Sequence, residues 1–462
     1  MQRILAIAWL TWKAALRFKL FLVIAALLVI AVVGLPLVIK DDGSAQGFTQ
    51  IIITYTLSAI TALLGLSTLW LSCGTLARDI EECQIQVVAT KPVARWQIWL
   101  GKWLGIVTLD AALLAISGAC VFTMLQYRAS KLPMPVQTAL REQILVARGS
   151  AKEASREAEI QGATDQYLQE RLKNAPVDPE NVPELRKQIL ERIRAESQVV
   201  PPSYWRTWKI DLHSVKDSLA GKPLQLRIKF NTAVPAGTAT YSAAWRIGDA
   251  PHTKLWETNM ESLASETFYE FQIPPDMFDE NGVLTVAFLN PPDNPALLFS
   301  ADEGMEVLYP EAGFVLNYVR GLGIILCWMA VLSALGLASA SILSFPVAAF
   351  FALTMMLVVF CSGTLAESVE SGTVAGGNAE TGQMNHSLAD VVLIPAFKGI
   401  LTVVNLAKSF SPIDALSTGR SITWGELGLA FAQIVLLLGG CLAAAGIFLF
   451  SRRELATAQG TQ

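Results

Sequence analysis

The sequence predicts an α-helical polytopic membrane protein. Six transmembrane helices are interrupted after the third by a large extracytoplasmic insertion, made of a helical hairpin and a β-sandwich. Three observations carry the prediction. Of the 462 residues, 53% are hydrophobic and only 16% are charged, whereas soluble domains carry nearer a quarter charged; the deficit is concentrated in uncharged runs long enough to cross a bilayer. Residues 126–313 contain no such run. Cations gather outside the first and last runs, with Arg3, Lys13, Arg17 and Lys19 before one and Arg452 and Arg453 after the other. That bias puts both termini in the cytosol.

Residues 1–19 carry no acidic group, and Ile4, Leu5, Ala8, Trp9, Trp12 and Leu16 share one helical face. This is the pattern of an amphipathic helix lying in the cytosolic membrane interface, in contact with lipid. The apolar run Leu20–Ile39 is the first span. Its length and the lack of an A-x-A cleavage site after it exclude a signal peptide. A short outer turn at Lys40–Gly43 leads to a second span over Ile51–Cys73, and a third runs over Trp103–Leu125, so residues 20–125 hold three crossings. Asp110 falls about 10 Å past Trp103 at helical rise. A carboxylate at that depth is costly and often functional; it can equally face a wet dimer seam or snorkel towards the surface, and the sequence leaves both readings open.

Three crossings place residues 126–313 outside. Residues 126–200 are rich in Ala, Glu, Arg, Gln and Lys, with Leu185, Ile189 and Ile193 on one face, and Pro176, Pro179 and Pro183 interrupt them. Good helix formers broken by prolines predict a helical hairpin over Val136–Ser197 with its turn at the prolines. Residues 201–313 change character. Leu226, Ile228 and Phe230 alternate with Arg227 and Lys229, Tyr269, Phe271 and Ile273 alternate with Glu270 and Gln272, and Val283–Leu289 is a short apolar run. Short strands separated by Pro, Gly and Asn pairs predict a β-sandwich. Trp205, Trp208, Trp245 and Trp256 fit either its core or a surface that stacks on a sugar ring.

Residues 314–462 supply the other three spans. Gly321–Ala366 is too long for one crossing, and Pro346 divides it into a fourth span to Leu343 and a fifth to Leu365. Gly336 and Ala340 offer a small-x-x-x-small surface for close helix contact. An outer segment, 367–426, begins with a Gly, Ser and Thr-rich linker and includes Val391–Ala407, which reads as an interfacial helix. The sixth span covers Leu427–Phe450 and contains Gln433, with Gly439, Gly440, Ala443 and Ala444 as a second close-packing surface.

Between spans two and three lies the charged stretch Leu76–Lys102, LARDIEECQIQVVATKPVARWQIWLGK. Arg78, Asp79, Glu81 and Glu82 crowd the start of a predicted helix over 76–92, Ile80, Ile85, Val87 and Val88 give it an apolar face, and Pro92 ends it. A second helix starts near Ala94, with Trp96, Trp99 and Trp103 on one face. A solvated loop between spans is the plain alternative. The order of an acidic helix, then T-K-P-V-A-R-W, then L-G-K leading into a membrane helix resembles the ABC-2 type transporter permease family. Cys83-Gln84 stands where many members carry Gly-Thr. The segment from Ser411 to Trp424, which leads into a last span ending in basic residues, is similar to the family as well. The resemblance covers both membrane halves and not the middle of the chain.

That resemblance implies a coupling helix at 76–92 that packs into a groove on a separate ABC ATPase subunit. Glu81 and Glu82 would face the ATPase, and Pro92 and Arg95 would fix the turn back into the membrane. Arg78, Asp79 and Ile85 would belong to the same contact. The chain itself would bind no cofactor, ATP and Mg being held by the ATPase, and it would pair with a second copy or a homologous permease in the cytoplasmic (inner) membrane. Export follows from the resemblance. Asp110 and Gln433 are candidates for the translocation path or the dimer seam. The residues exclude other chemistry. No G-x-x-x-x-G-K-[ST] loop, H-E-x-x-H or G-x-S-x-G occurs, His213, His252 and His386 have no metal-ligand spacing, and a net charge of −4 gives no case for nucleic acid. The sequence therefore predicts no enzyme. The competing reading is a membrane anchor or force-transmitting assembly protein whose outer domain binds a partner or glycan.

Overall fold

A computed structural model describes the chain except for residues 1, 18, 39–46, 49, 83–92, 175–181, 220, 233–238, 250, 251, 302, 372–389 and 454–462. Two compact units result, Met1–Ala147 with Ala312–Gln462, and Arg148–Glu311.

The first unit is helical. Its main elements are α1 (Gln2–Arg17), α2 (Lys19–Val38), α3 (Thr56–Glu81), α4 (Arg95–Ala129), α5 (Phe314–Ala340), α6 (Phe345–Phe360), α7 (Asp390–Lys408) and α8 (Trp424–Arg452). Among the described residues, five stretches are long and apolar enough to cross a membrane: Ile52–Glu81, Arg95–Ala129, Phe314–Ala340, Asp390–Ser417 and Trp424–Arg452. Val23–Leu35 in α2 and Phe345–Val359 in α6 are apolar but shorter. The 16 residues of α6 rise about 24 Å, short of a hydrocarbon core of about 30 Å.

Three sequence expectations change here. The run Arg78–Glu81 does not start a separate helix; it ends α3, which continues without a break from Thr56. Leu76 and Ala77 are buried, so the apolar face carries on past Cys73 and gives the helix no reason to stop. The stretch read as interfacial, Val391–Ala407, belongs to the apolar stretch Asp390–Ser417, which has membrane-spanning length. Pro395 sits in its second turn, where it removes one backbone bond near an end without breaking the helix. The fifth predicted span is interrupted at Cys361, and a separate helix, Ser362–Ser371, follows.

The centre of this unit is α5, which packs on α3, α4, α6 and α8 and is buried around most of its circumference, as an apolar helix at a core must be. Small residues set the approach. A Cβ built on Gly336 of α5 would lie 1.8 Å from Ser72 Oγ of α3, so only glycine fits there. The second small-residue contact lies further along α8 than the glycine pair the sequence pointed to. Gly440 meets no neighbour within 4 Å, whereas a Cβ on Gly446 would lie 2.9 Å from Trp99 Nε1 of α4 and 3.0 Å from Ala338 Cα of α5.

Among its described residues the second unit holds two long helices, Glu157–Asn174 and Val182–Gln198, and two four-stranded sheets beside a three-stranded and a two-stranded one. Ion pairs Arg186–Asp165 and Arg194–Glu157 match rising numbers on one helix with falling numbers on the other, so the pair is antiparallel. The strands of the two four-stranded sheets are β1 (Val146–Ala151), β2 (Trp205–Asp211), β3 (Leu224–Ile228), β4 (Trp245–Ile247), β5 (Trp256–Glu257), β6 (Tyr269–Ile273), β7 (Val283–Leu289) and β8 (Met305–Gly313). One sheet has the order β1-β8-β3-β6 and the other β2-β7-β4-β5. Strand β1 lies within the stretch expected to be the helical hairpin, whose first long helix begins at Glu157 rather than Val136.

Alternation explains the faces, since successive side chains of a strand point to opposite sides. Leu224, Leu226 and Ile228 of β3 and Leu284, Val286 and Phe288 of β7 are fully buried in one core shared by both sheets. Trp208 and Trp245 belong to that core, with Trp245 stacked on Phe288 at 4.6 Å between centroids; such pairs add about 0.5–1.5 kcal/mol beyond area burial. Trp205 is exposed instead, beneath the Arg246 guanidinium. The polar face of the first sheet is not simply solvated. Arg227 stands opposite both Glu270 and Glu306 on the neighbouring strands, and Arg227 and Glu306 are both buried, 3.2 Å apart.

Candidate functional site

The charged end of the helical unit is where most of the sequence-selected residues meet. It is formed by the last turn of α3, the first turns of α4, the first residue of α6 and the ends of α5 and α8. Asp79 of α3 pairs with Lys102 of α4 at 2.5 Å, and the same Lys102 Nζ donates to Thr75 O at 2.9 Å. A buried ammonium needs such partners, because an isolated charge out of water is strongly disfavoured. Glu81 Oε1 accepts from the backbone N–H of Phe345 at 2.9 Å, which caps the start of α6 with negative charge where the helix dipole favours it. The Arg78 guanidinium lies 4.7 Å from the centroid of the Phe345 ring, a cation–π contact.

Arg95, the first residue of α4, closes the other side. Its Nη1 donates to the carbonyls of Phe450, Ser451 and Arg453, at 2.9, 2.8 and 2.8 Å, so it satisfies carbonyls that the end of α8 leaves without helical partners. Arg453 Nη1 in turn donates to Ser341 O at the end of α5, at 3.2 Å. One layer of side chains thus ties together the ends of α3, α4, α5, α6 and α8. Glu82 is exposed one residue beyond α3. Ile85 and Pro92 lie outside the described residues, as does most of the stretch 76–92 that was expected to form a helix of its own.

Asp110 and Gln433 lie apart from this layer. Asp110 is 2% exposed and neither reaches a surface nor snorkels; its Oδ2 accepts from Thr68 Oγ1 of α3 at 2.9 Å. Thr68, Ser72, Thr75 and Asp79 form a buried-to-half-buried polar stripe along α3 that leads from the charged layer to Asp110. Gln433 is half-buried within a π-helical stretch, Phe431–Gly439, a geometry frequent at functional positions. The three tryptophans of α4 do not share one environment: Trp99 is fully buried, Trp96 is 45% exposed, and Trp103 Nε1 donates to Ala330 O of α5 at 3.0 Å.

Sequence reasoning missed Thr68, Phe345 and Arg453 as members of these clusters. Phe345 and Arg453 carried a weak signal, since each stands where a helix begins or ends and helix ends need partners. Thr68 carried none beyond its hydroxyl. Among the described residues, no group of three or more His, Cys, Asp or Glu is placed to hold a metal ion. No protein-family model, curated protein or solved structure matches the chain.

Proposed function

We propose that the chain is the transmembrane permease subunit of an ABC-2 type exporter in the cytoplasmic membrane, driven by a separate ATPase subunit that holds ATP and Mg. The observation that supports the reading is the layer of polar contacts on either side of residues 83–92. The segment leaves α3 next to Glu81 and rejoins the helices at Arg95. A push on it from an ATPase would act on α3 and α4 directly. It would reach α6 through Glu81 and Phe345, and α8 through Arg95. The coupling segment of this family does that work. In this reading six helices cross the membrane, both ends return to the cytosol, and the Arg148–Glu311 unit is an extracytoplasmic hairpin and β-sandwich. A second copy or a homologous permease completes the pathway.

A force-transmitting anchor is the second reading, favoured by the size and independent core of the Arg148–Glu311 unit. Affinity purification of the intact chain in mild detergent, with ATP hydrolysis assayed on the eluate, separates the two. Glu81 is a poor probe because it caps α6, so Glu82→Lys is the informative variant. The permease reading expects a co-purified ATPase and a loss of about tenfold or more in the variant, equivalent to about 1.4 kcal/mol of binding. A chain that purifies without ATPase, or a variant that retains it in full, contradicts the reading.

A further inference from the structure

The helical unit carries a half-open apolar groove of about 450 Å³. Its walls are Trp103 and Val107 of α4, Leu326 of α5, and Trp424, Leu427 and Phe431 of α8. Glycine keeps it open. Gly428 lies in the groove wall, and a Cβ built on it would meet no atom within 4 Å. An indole stands at each end, Trp103 at one and the 60% exposed Trp424 at the other. An exposed indole such as that of Trp424 suits the boundary between hydrocarbon and headgroups.

A cation stands against Trp424, just beyond the groove's own walls. Arg320 is one turn from Gly323, another wall residue, and its guanidinium carbon lies 4.9 Å from the centroid of the Trp424 ring. Arg320 is 7% exposed. Its Nη1 donates to Ile422 O at 2.7 Å. Its Nε is buried with no hydrogen-bond partner, and no carboxylate among the described residues forms an ion pair with it. The acid nearest to Trp424 in sequence, Glu426, is committed to capping α8, where its Oε2 accepts from Thr423 N at 2.8 Å. Buried charges are normally paired, and a guanidinium suits phosphate.

We infer that this groove is a binding site for one anionic phospholipid, its acyl chain laid between Trp103 and Trp424 and its phosphate drawn to Arg320. The apolar groove alone would accept any chain; an unpaired guanidinium at one end selects a headgroup. The inference rests on the helical unit lying in a membrane and not on any ATPase partner.

The test is native mass spectrometry of the intact chain released from bilayers of mixed anionic and zwitterionic phospholipid. Gly428→Leu fills the groove where there is room for it, and replacing glycine in a helix by leucine favours the helix, so the variant should fold. Arg320→Gln keeps a donor for Ile422 and removes the charge. The wild type should retain one anionic lipid per chain, Gly428→Leu should lose it by about tenfold or more, and Arg320→Gln should bind both lipid classes alike. Undiminished retention by Gly428→Leu overturns the site, and an unchanged anionic preference in Arg320→Gln overturns the role of the guanidinium. If Gly428→Leu instead dissolves a dimer and leaves lipid adducts unchanged, the groove is a seam between copies and the inference is wrong. Co-purification of an ATPase bears on none of these outcomes.

Discussion

Lys102 is a charge that the helical unit buries, and Asp79 is the reason that it can. The Lys102 side chain is 9% exposed and that of Asp79 is 32% exposed. Removing the ammonium with Lys102→Met should cost about 1–3 kcal/mol, less than breaking a fully buried pair, because water still reaches the carboxylate left behind. The double variant Asp79→Asn with Lys102→Met should recover part of that loss, and thermal unfolding in detergent completes the cycle; strictly additive losses would mean that the pair contributes nothing. In the other unit, Glu153 makes the opposite case. Burial lifts its carboxyl above the ordinary range, outweighing the attraction of Arg206 at 3.8 Å and of Arg156. A carboxyl raised on folding stabilises in its protonated form, so its contribution is present at low pH and is lost as pH rises through the folded value. Glu153→Gln should therefore raise the unfolding temperature of this unit at pH 7. The gain should vanish as the pH drops below the carboxylate range. A variant that unfolds earlier at pH 7 would show that the ion pair outweighs burial.

At the level of elements, glycine positions decide which helices touch. α1 docks on α4 through Ala8, Thr11 and Ala15, all buried, while Leu5, Trp9 and Leu16 stay exposed. The sequence grouped Ala8 with the large apolar residues on one face. The structure uses the adjacent small face for protein and leaves the large residues exposed. A Cβ on Gly105 would lie 2.8 Å from Thr11 Cβ and 2.9 Å from Ala8 O. Gly105→Val should cost about 1–3 kcal/mol of this contact, a roughly five- to 150-fold rise in undocked α1. Limited proteolysis of α1 reads it out, and an unchanged cleavage rate would show that α1 does not need the notch. The same contrast explains what the sequence could carry. Apolar run length placed α3, α4, α5 and α8, period-two alternation marked β3 and β6, and a short apolar run marked β7, because these signals are local. The end of α3 was misplaced because a charged run looks like a boundary, whereas Leu76 and Ala77 are buried by other helices. β1 was missed because VARGSA has no apolar alternation to show; the place of Arg148 is set by Glu270, far along the chain. Asp110 was legible as a charge in a costly place, and Arg78, Asp79, Glu81 and Arg95 as parts of a charged stretch between two spans. Their partners were not, since Thr68, Phe345 and the carbonyls of Phe450 and Arg453 become neighbours only after packing.

On the scale of the whole molecule, five membrane-length apolar stretches among the described residues and a separate β-containing unit frame the central proposal, that an ATPase would act on the helical unit through the segment between α3 and α4. The most direct test places a photo-crosslinking side chain at position 82 in the intact chain and irradiates native membranes. The account predicts one dominant adduct that contains a nucleotide-binding ATPase. The crosslink should form from the cytosolic face and should weaken when ATP is exhausted or when an excess of free coupling-segment peptide is added. An adduct with an envelope or membrane protein lacking ATPase activity, or no adduct while the chain is folded and inserted, would contradict the claim and would favour the anchor.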